Sequence, residues 1–351
     1  MIRLAREWAK LGHEVTCFCP TSAPERHYEP GTIVDDFSGE VYYGRGFHEY
    51  VEHGAALTCL RNFQYDAVIS WEFLPVLGDS QVMELQPFVA VEMQVAHFEP
   101  AFADMLVLAD AIFVLSDWHR EFAMHEQPDL DPDKIRVLKN CVDLEHYPWS
   151  EDDAEERRLA NSFFYSSSPD RGLVHILRLW PELRQRLPGA TLTVAYGVER
   201  WVGGARWQHQ KLGEMAVEIE ALMKQDGIFD VGSVGQAQLA KIQTSSTAML
   251  YPCDTIQSTE TGCITAVEAG AAGAPMFLAA CDCLPSEFGD VAKFVDLPFD
   301  ADEYLDQLTS VLADPDEYVK MRDDGRRMAE GRTWDKAAKL WLGEITSLSR
   351  A

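Results

Sequence analysis

Two glutamates, Glu260 and Glu268, stand with seven residues between them in the segment YPCDTIQSTETGCITAVEAGAAGAP, residues 251–275. The apolar run Ala248–Tyr251 before them reads as a buried strand, and the small residues after Gly262 read as a helix. This puts Glu260 in the loop before the helix and Glu268 about two turns along it. The backbone amides of Thr261, Gly262, Cys263 and Ile264 are then the unpaired donors of a helix start. Such amides suit a diphosphate or a sugar hydroxyl, and Gly262 lets a ligand approach the backbone closely. In an acidic chain the spacing of two glutamates alone says little. Their position between a buried strand and a helix start gives it meaning.

The elements that must position these groups alternate along the chain. Met1 to Leu11 reads as a helix with Leu4, Ala5, Trp8 and Leu11 on one face, stopped by Gly12. Short apolar runs follow at Val15–Cys19, Ala67–Ser70, Phe88–Glu92 and Ala111–Leu115. In the second half, strands are predicted at Phe163–Tyr165, Thr191–Tyr196, Phe229–Val231, Ala248–Tyr251, Met276–Leu278 and Lys293–Val295. Leu173, Ile176, Leu177, Trp180, Leu183 and Leu187 form one apolar helical stripe between the first two of these. A last helix carries Trp334, Ala338, Trp341, Ile345 and Leu348 on one face, a packing surface. Strands alternating with helices imply an α/β chain with parallel sheets. The charged stretch PWSEDDAEERRLA, within residues 147–160, interrupts the alternation and reads as a linker or a solvated helix start. The expected architecture is two doubly wound lobes, with ligands at the carboxyl ends of the strands, in a cleft between lobes.

Composition narrows the function classes. The chain has 351 residues, of which 47% are hydrophobic, enough for two ordinary cores. With 57 acidic against 30 basic side chains the formal net charge is -27, which repels phosphate backbones and argues against nucleic acid as a partner. It argues equally against a basic patch for anionic lipid headgroups. The 8 cysteines include no CxxC pair, so zinc-ribbon spacing is absent and buried free thiols in a reducing cytoplasm are expected. No apolar run approaches the length of a membrane span. No GxGxxG follows a predicted strand, which disfavours a dinucleotide oxidoreductase.

The segment with Glu260 and Glu268 resembles the glutamate–seven–glutamate motif of retaining GT-B glycosyltransferases of family 4. Other stretches resemble the family in the same order. LAREWAKLGHEVTCFCP is similar to its first helix and second strand, and ADAIFVLSDWHRE to the segment leading to its acceptor-side loop. KIRVLKNCVDLEHY resembles its hinge signature, with Cys141 in place of a glycine. SSSPDRGL resembles the phosphate-clamp turn that opens the second lobe. IFDVGSVGQAQLAKIQTSSTAMLYP resembles its nucleobase loop and the strand before the glutamates. The resemblance runs over nearly the whole chain.

It implies a GT-B fold: an acceptor-side lobe at residues 1–146, a linker at 147–160, a nucleotide-sugar lobe at 161–332 and a C-terminal helix at 333–351 crossing back to the first lobe. It implies that Glu260 contacts and orients the donor sugar, that Glu268 accepts hydrogen bonds from the donor ribose, and that Arg171 neutralises the leaving diphosphate. A guanidinium suits that task because it binds phosphate oxygens bidentately. Val234 matches a backbone contact to the nucleobase. Asn140 and Asp143 fall at the hinge, as structural residues. His97 is offered for a histidine near the reacting sugar, but Met93 fits the count as well and a structural histidine stays open. His119 reads as a surface or capping residue. The implied reaction moves a sugar from a nucleotide-diphosphate donor to a glycan, lipid or protein acceptor, with retention, in the cytoplasm, with no cofactor and no metal site.

Two departures bear on this. Family members usually carry two basic residues in the clamp turn, about five apart. Here the earlier position is Ser166, with Ser167 and Ser168 beside it, whose hydroxyls are able to bond a phosphate oxygen. The usual first strand and its glycine-rich turn are also absent, so roughly 20 further residues are expected upstream of Met1. Two other functions fit the same pattern: a degenerate GT-B protein serving as a non-catalytic partner subunit, and a GT-B sugar-nucleotide epimerase.

Overall fold

The computed structural model describes residues 2–21, 41–45, 60–61, 64–71, 76–79, 83–96, 105–206, 210–255 and 260–349. The chain divides into two compact units, one of residues 1–139 with 334–351, the other of residues 140–333. Both are built on parallel strands, as the alternation of elements requires.

In the first unit, strand β1 (Cys17–Thr21) pairs in parallel with β2 (Val41–Arg45). A second sheet holds β3 (Ala67–Trp71), β4 (Phe88–Glu92), β5 (Ala111–Val114) and β6 (Ile135–Val137) in that order. Val89, Val91, Ile112 and Val114 form its core with Leu106 and Ile135. The helix Trp334–Leu348 packs on the helix Ile2–Lys10. The indole of Trp8 donates to the Ala338 carbonyl at 3.1 Å. Trp341 lies 5.8 Å from the Trp8 ring and 4.1 Å from Phe113. Aromatic pairs at such separations contribute beyond their buried area.

Among its described residues the second unit holds six strands: β7 (Ser162–Tyr165), β8 (Thr191–Val194), β9 (Ile228–Asp230), β10 (Ala248–Tyr251), β11 (Met276–Ala279) and β12 (Ala292–Val295). Their order is β12-β11-β10-β7-β8-β9. β10 and β11 are buried throughout, as parallel strands covered on both faces must be. The helix Leu173–Arg186 lays Ile176, Leu177, Trp180 and Leu183 against this core. The helix Ile264–Ala271 is made of small residues because the helix Pro315–Glu330 comes close to it. A Cβ on Gly270 would fall 2.7 Å from the Gly325 carbonyl oxygen.

The connectivity of this sheet locates a binding site. From β7 the chain steps outward to β8 and β9, and from β10 outward to β11 and β12. The direction therefore reverses between β7 and β10, which are neighbours. A crevice opens at the carboxyl ends of the two strands flanking such a reversal. The chain leaving β7 there is Ser166–Arg171, and the chain leaving β10 carries Glu260.

Two readings of polar residues change. The stretch 147–160, read as a linker or a solvated helix start, contains the helix Ala154–Leu159, and its Arg157 is buried. That guanidinium donates to the carbonyls of Ser246, Ala272 and Gln243, so a charged run is docked on the unit by one arginine capping three carbonyls. His119, read as a surface or capping residue, is fully buried. The cap of its helix is Ser116, whose hydroxyl accepts from the His119 amide at 3.0 Å.

Candidate active site

The turn Ser166–Arg171 and the loop around Glu260 meet at the reversal point. The Arg171 guanidinium lies 3.3 Å and 3.4 Å from the two carboxylate oxygens of Glu260. Glu260 is 2% exposed, whereas the Arg171 side chain is 31% exposed. The cation therefore faces both the carboxylate and solvent. The turn is fixed by Tyr165, whose hydroxyl lies 2.6 Å from the Ser168 carbonyl and 3.0 Å from that of Arg171.

Several of the described residues hold Glu260. The Tyr251 hydroxyl donates to its Oε2, and the Cys263 amide donates to its carboxylate. Its own amide donates to Asp282 Oδ2 at 3.1 Å, and its carbonyl accepts from the Cys283 amide at 3.2 Å. Burial pushes the Glu260 carboxyl above its ordinary range, and Arg171 and then Tyr251 partly offset that. Burial works against the charge of Arg171, and the attraction of Glu260 together with a hydrogen bond to Tyr251 more than restores it, so the guanidinium stays protonated. The Cys253 thiol is hydrogen-bonded to Cys281, which raises Cys253 and lowers Cys281 relative to an ordinary thiol.

Glu268 occupies a different environment. It is buried on the helix Ile264–Ala271, and Gln243 Nε2 donates to its Oε2 at 3.4 Å. Gln243 in turn accepts from the Tyr147 hydroxyl at 2.8 Å. A buried amide between a phenol and a carboxylate fixes the rotamer of all three.

The helix start differs from expectation in detail. Thr261, Gly262 and Cys263 are buried, and Ile264 is exposed. The Gly262 carbonyl accepts from Asn140 Nδ2 at 3.2 Å. The Cys263 amide is turned onto Glu260 and not outward. Cys263 takes a positive φ of 26°. Ser166 bonds Thr265 at 2.6 Å and Ser167 bonds Tyr251 at 3.2 Å, so both hydroxyls already have protein partners. Val234 is half-buried in the loop after β9, where Ser233 donates to the Tyr196 carbonyl at 2.6 Å. Asp143 caps the turn Leu144–His146 by accepting from the Glu145 amide. His97 lies outside the described residues; Met93 is buried.

Sequence reasoning missed Tyr251, Asp282 and the pair of His175 and Asp254, which meet at 2.6 Å. Tyr251 had a signal, being the last residue of a strand that flanks the reversal. Asp282 had none, since it comes from the exit of another strand. Among the described residues no group of three or more His, Cys, Asp or Glu side chains is arranged to hold a metal ion. No described helix is long and apolar enough to cross a membrane.

Residues 163–328 match the family model of glycosyl transferases group 1. No curated protein sequence matches the chain. Among solved structures, sucrose-phosphate synthase from Thermosynechococcus elongatus is similar with a TM-score of 0.74 and 15% identity, covering 98% of this chain and 91% of that one. A glycosyltransferase from Rickettsia africae is similar with a TM-score of 0.71 and 14% identity, covering 99% and 93%. Anabaena HepE in complex with UDP-glucose is similar with a TM-score of 0.66 and 14% identity, covering 95% and 99%. At such identities the likeness establishes the fold, which is GT-B. The fold and the family match together support a glycosyltransferase.

Proposed function

We propose that the protein transfers a glycosyl group from a nucleoside diphosphate sugar to an acceptor hydroxyl, with retention of anomeric configuration. The observation that supports this most is the contact of Arg171 with Glu260 at the carboxyl ends of β7 and β10. It supplies a partly exposed cation for a leaving diphosphate beside a carboxylate for sugar hydroxyls. The bond from the anomeric carbon to the diphosphate oxygen breaks, and its electron pair leaves with the nucleotide. Arg171, turning from Glu260 to the departing oxygens, neutralises that charge, which lowers the barrier. The acceptor oxygen forms the new bond to the anomeric carbon, and its proton passes to the departing diphosphate oxygen. Glu260 orients the donor sugar, and Glu268 accepts hydrogen bonds from the ribose hydroxyls. Val234 offers its backbone to the nucleobase. Retention rests on the likeness to the glutamate–seven–glutamate pattern. HepE was solved with UDP-glucose, so uridine nucleotides are the first donors to test.

The test is calorimetric titration with UDP, ADP and GDP, followed by a screen of the matching nucleotide sugars for nucleoside diphosphate release. Release that depends on added acceptor supports transfer. A chain that binds none of the three nucleotides sinks the reading.

A further inference from the structure

Tyr251 is fully buried at the end of β10, its ring 5.8 Å from that of Tyr165. Its hydroxyl is the meeting point of the two segments that form the site. A phenol has one proton to give, and here it goes to Glu260 Oε2. Burial first, and then the charge of Glu260, hold that phenol far above its ordinary value, so it remains a donor at any working pH. The Ser167 hydroxyl, 3.2 Å away, must therefore donate to Tyr251. The result is a directed chain, Ser167 to Tyr251 to Glu260, running from the clamp turn to the carboxylate.

This chain answers a shortage of charge. The first basic position of the clamp turn is Ser166, whose hydroxyl is bonded to Thr265. Arg171 is thus the guanidinium that Glu260 and a leaving diphosphate would share. A buried carboxylate that loses its cation without another donor is strongly disfavoured. Among the described residues, the other groups facing Glu260 are Cys253, whose thiol is 4.0 Å from Oε2, and the residues Cys263, Asp282 and Cys283. None of them is a cation, and Asp282 raises the cost of the Glu260 charge.

We propose that Tyr251 is the positioning residue of Glu260: by holding Oε2 it keeps the carboxylate ionised and in place while Arg171 turns from Glu260 to the diphosphate. The inference rests on the glycosyltransferase reading for the identity of that diphosphate, but its effect on Glu260 does not.

Two measurements separate these. In protein labelled with 13C-glutamate, infrared titration compares the parent, Tyr251→Phe and Glu260→Gln, the last identifying the Glu260 band. Glu260 titrates at higher pH in Tyr251→Phe, and an unmoved titration overturns the proposal. Calorimetry with UDP as probe, or with ADP or GDP where the parent prefers one of these, reads the second effect. Tyr251→Phe lowers affinity at least tenfold, because Arg171 must stay on the carboxylate. In a Glu260→Gln background the same exchange changes affinity less than twofold. An equal loss in both backgrounds makes Tyr251 a packing residue and overturns the proposal. Where Tyr251→Phe does not fold, Ser167→Ala weakens the same chain and moves the Glu260 titration in the same direction by less. No movement there overturns the proposal too. A parent that binds none of the nucleotides defeats the glycosyltransferase reading, while the infrared titration still decides the role of Tyr251.

Discussion

A Cβ on Gly172 would sit 2.0 Å from the carbonyl oxygen of Pro252. The residue after Arg171 and the second-last residue before Asp254 are therefore in backbone contact, and the turn leaving β7 rides directly on the chain leaving β10. The φ of Gly172 is +87°, a conformation that side chains other than glycine avoid. Gly172→Ala combines that strain with a clash against backbone, and is expected to cost about 3 kcal/mol or more. Chemical denaturation checks it. A cost within about 0.5 kcal/mol, the range of ordinary surface exchanges, would mean that the turn and the loop are free to part.

Arg171 is expected to matter more to binding than to folding. Removing the guanidinium costs charge-assisted bonds to a diphosphate, and Arg171→Ala should weaken UDP affinity roughly 100-fold, about 2.7 kcal/mol. Stability should fall by only about 1 kcal/mol, because Glu260 keeps the Tyr251 hydroxyl and the Cys263 amide as donors. Denaturant melts and calorimetry on the same variant decide it. A folding loss as large as the binding loss would make the arginine a structural ion-pair partner and nothing more.

Glu268→Ala should leave the fold standing and lower UDP affinity roughly tenfold, the size of one lost charge-assisted hydrogen bond to a ribose hydroxyl. UDP carries the ribose but not the donor sugar, so this measurement isolates Glu268 from Glu260. Unchanged affinity in a folded variant would remove Glu268 from the nucleotide site and leave its bond to Gln243 as a purely internal contact.

What the sequence discloses divides along physical lines. Strands β4 and β10 are readable residue for residue, because a parallel strand buried on both faces is a continuous apolar run with sharp polar ends. Strand β6, three residues long, hides inside KIRVLKN, where the apolar pattern is too short to register. Glu260 reads as a loop residue, and the sequence says nothing of its burial. Its burial depends on Tyr251, Arg171 and Asp282, which come from three strand exits, and no local spacing announces their convergence. Cys263 hides in the same way, since nothing in its sequence neighbourhood marks it for the positive φ it adopts. Arg157 looks solvated because its neighbours are acidic, while its partners are carbonyls about 90 to 115 residues later, which carry no mark in the sequence.

His119 gives the first unit an acid-sensitive element. Its Nδ1 accepts from the Leu115 amide at 3.3 Å, and Nε2 lies 3.1 Å from the Val95 carbonyl. The neutral ring protonated on Nε2 satisfies both, whereas a charged ring would turn an N–H toward the Leu115 amide. Burial, opposed by the Val95 bond, holds its pKa down to about 4 against an ordinary 6.5. Above the ordinary value both folded and unfolded chains carry a neutral ring, and stability is independent of this group. As pH falls below 6.5 the unfolded chain takes up the proton first, so stability drops until the folded ring also titrates near 4. The full loss over that window is about 3 kcal/mol. His119→Phe removes the titration, and with it about 3 kcal/mol of the difference in unfolding free energy between neutral pH and pH about 4. Denaturant melts of parent and variant at the two pH values read that difference directly. The same acid loss in both proteins would show that the buried ring is not what the proton attacks.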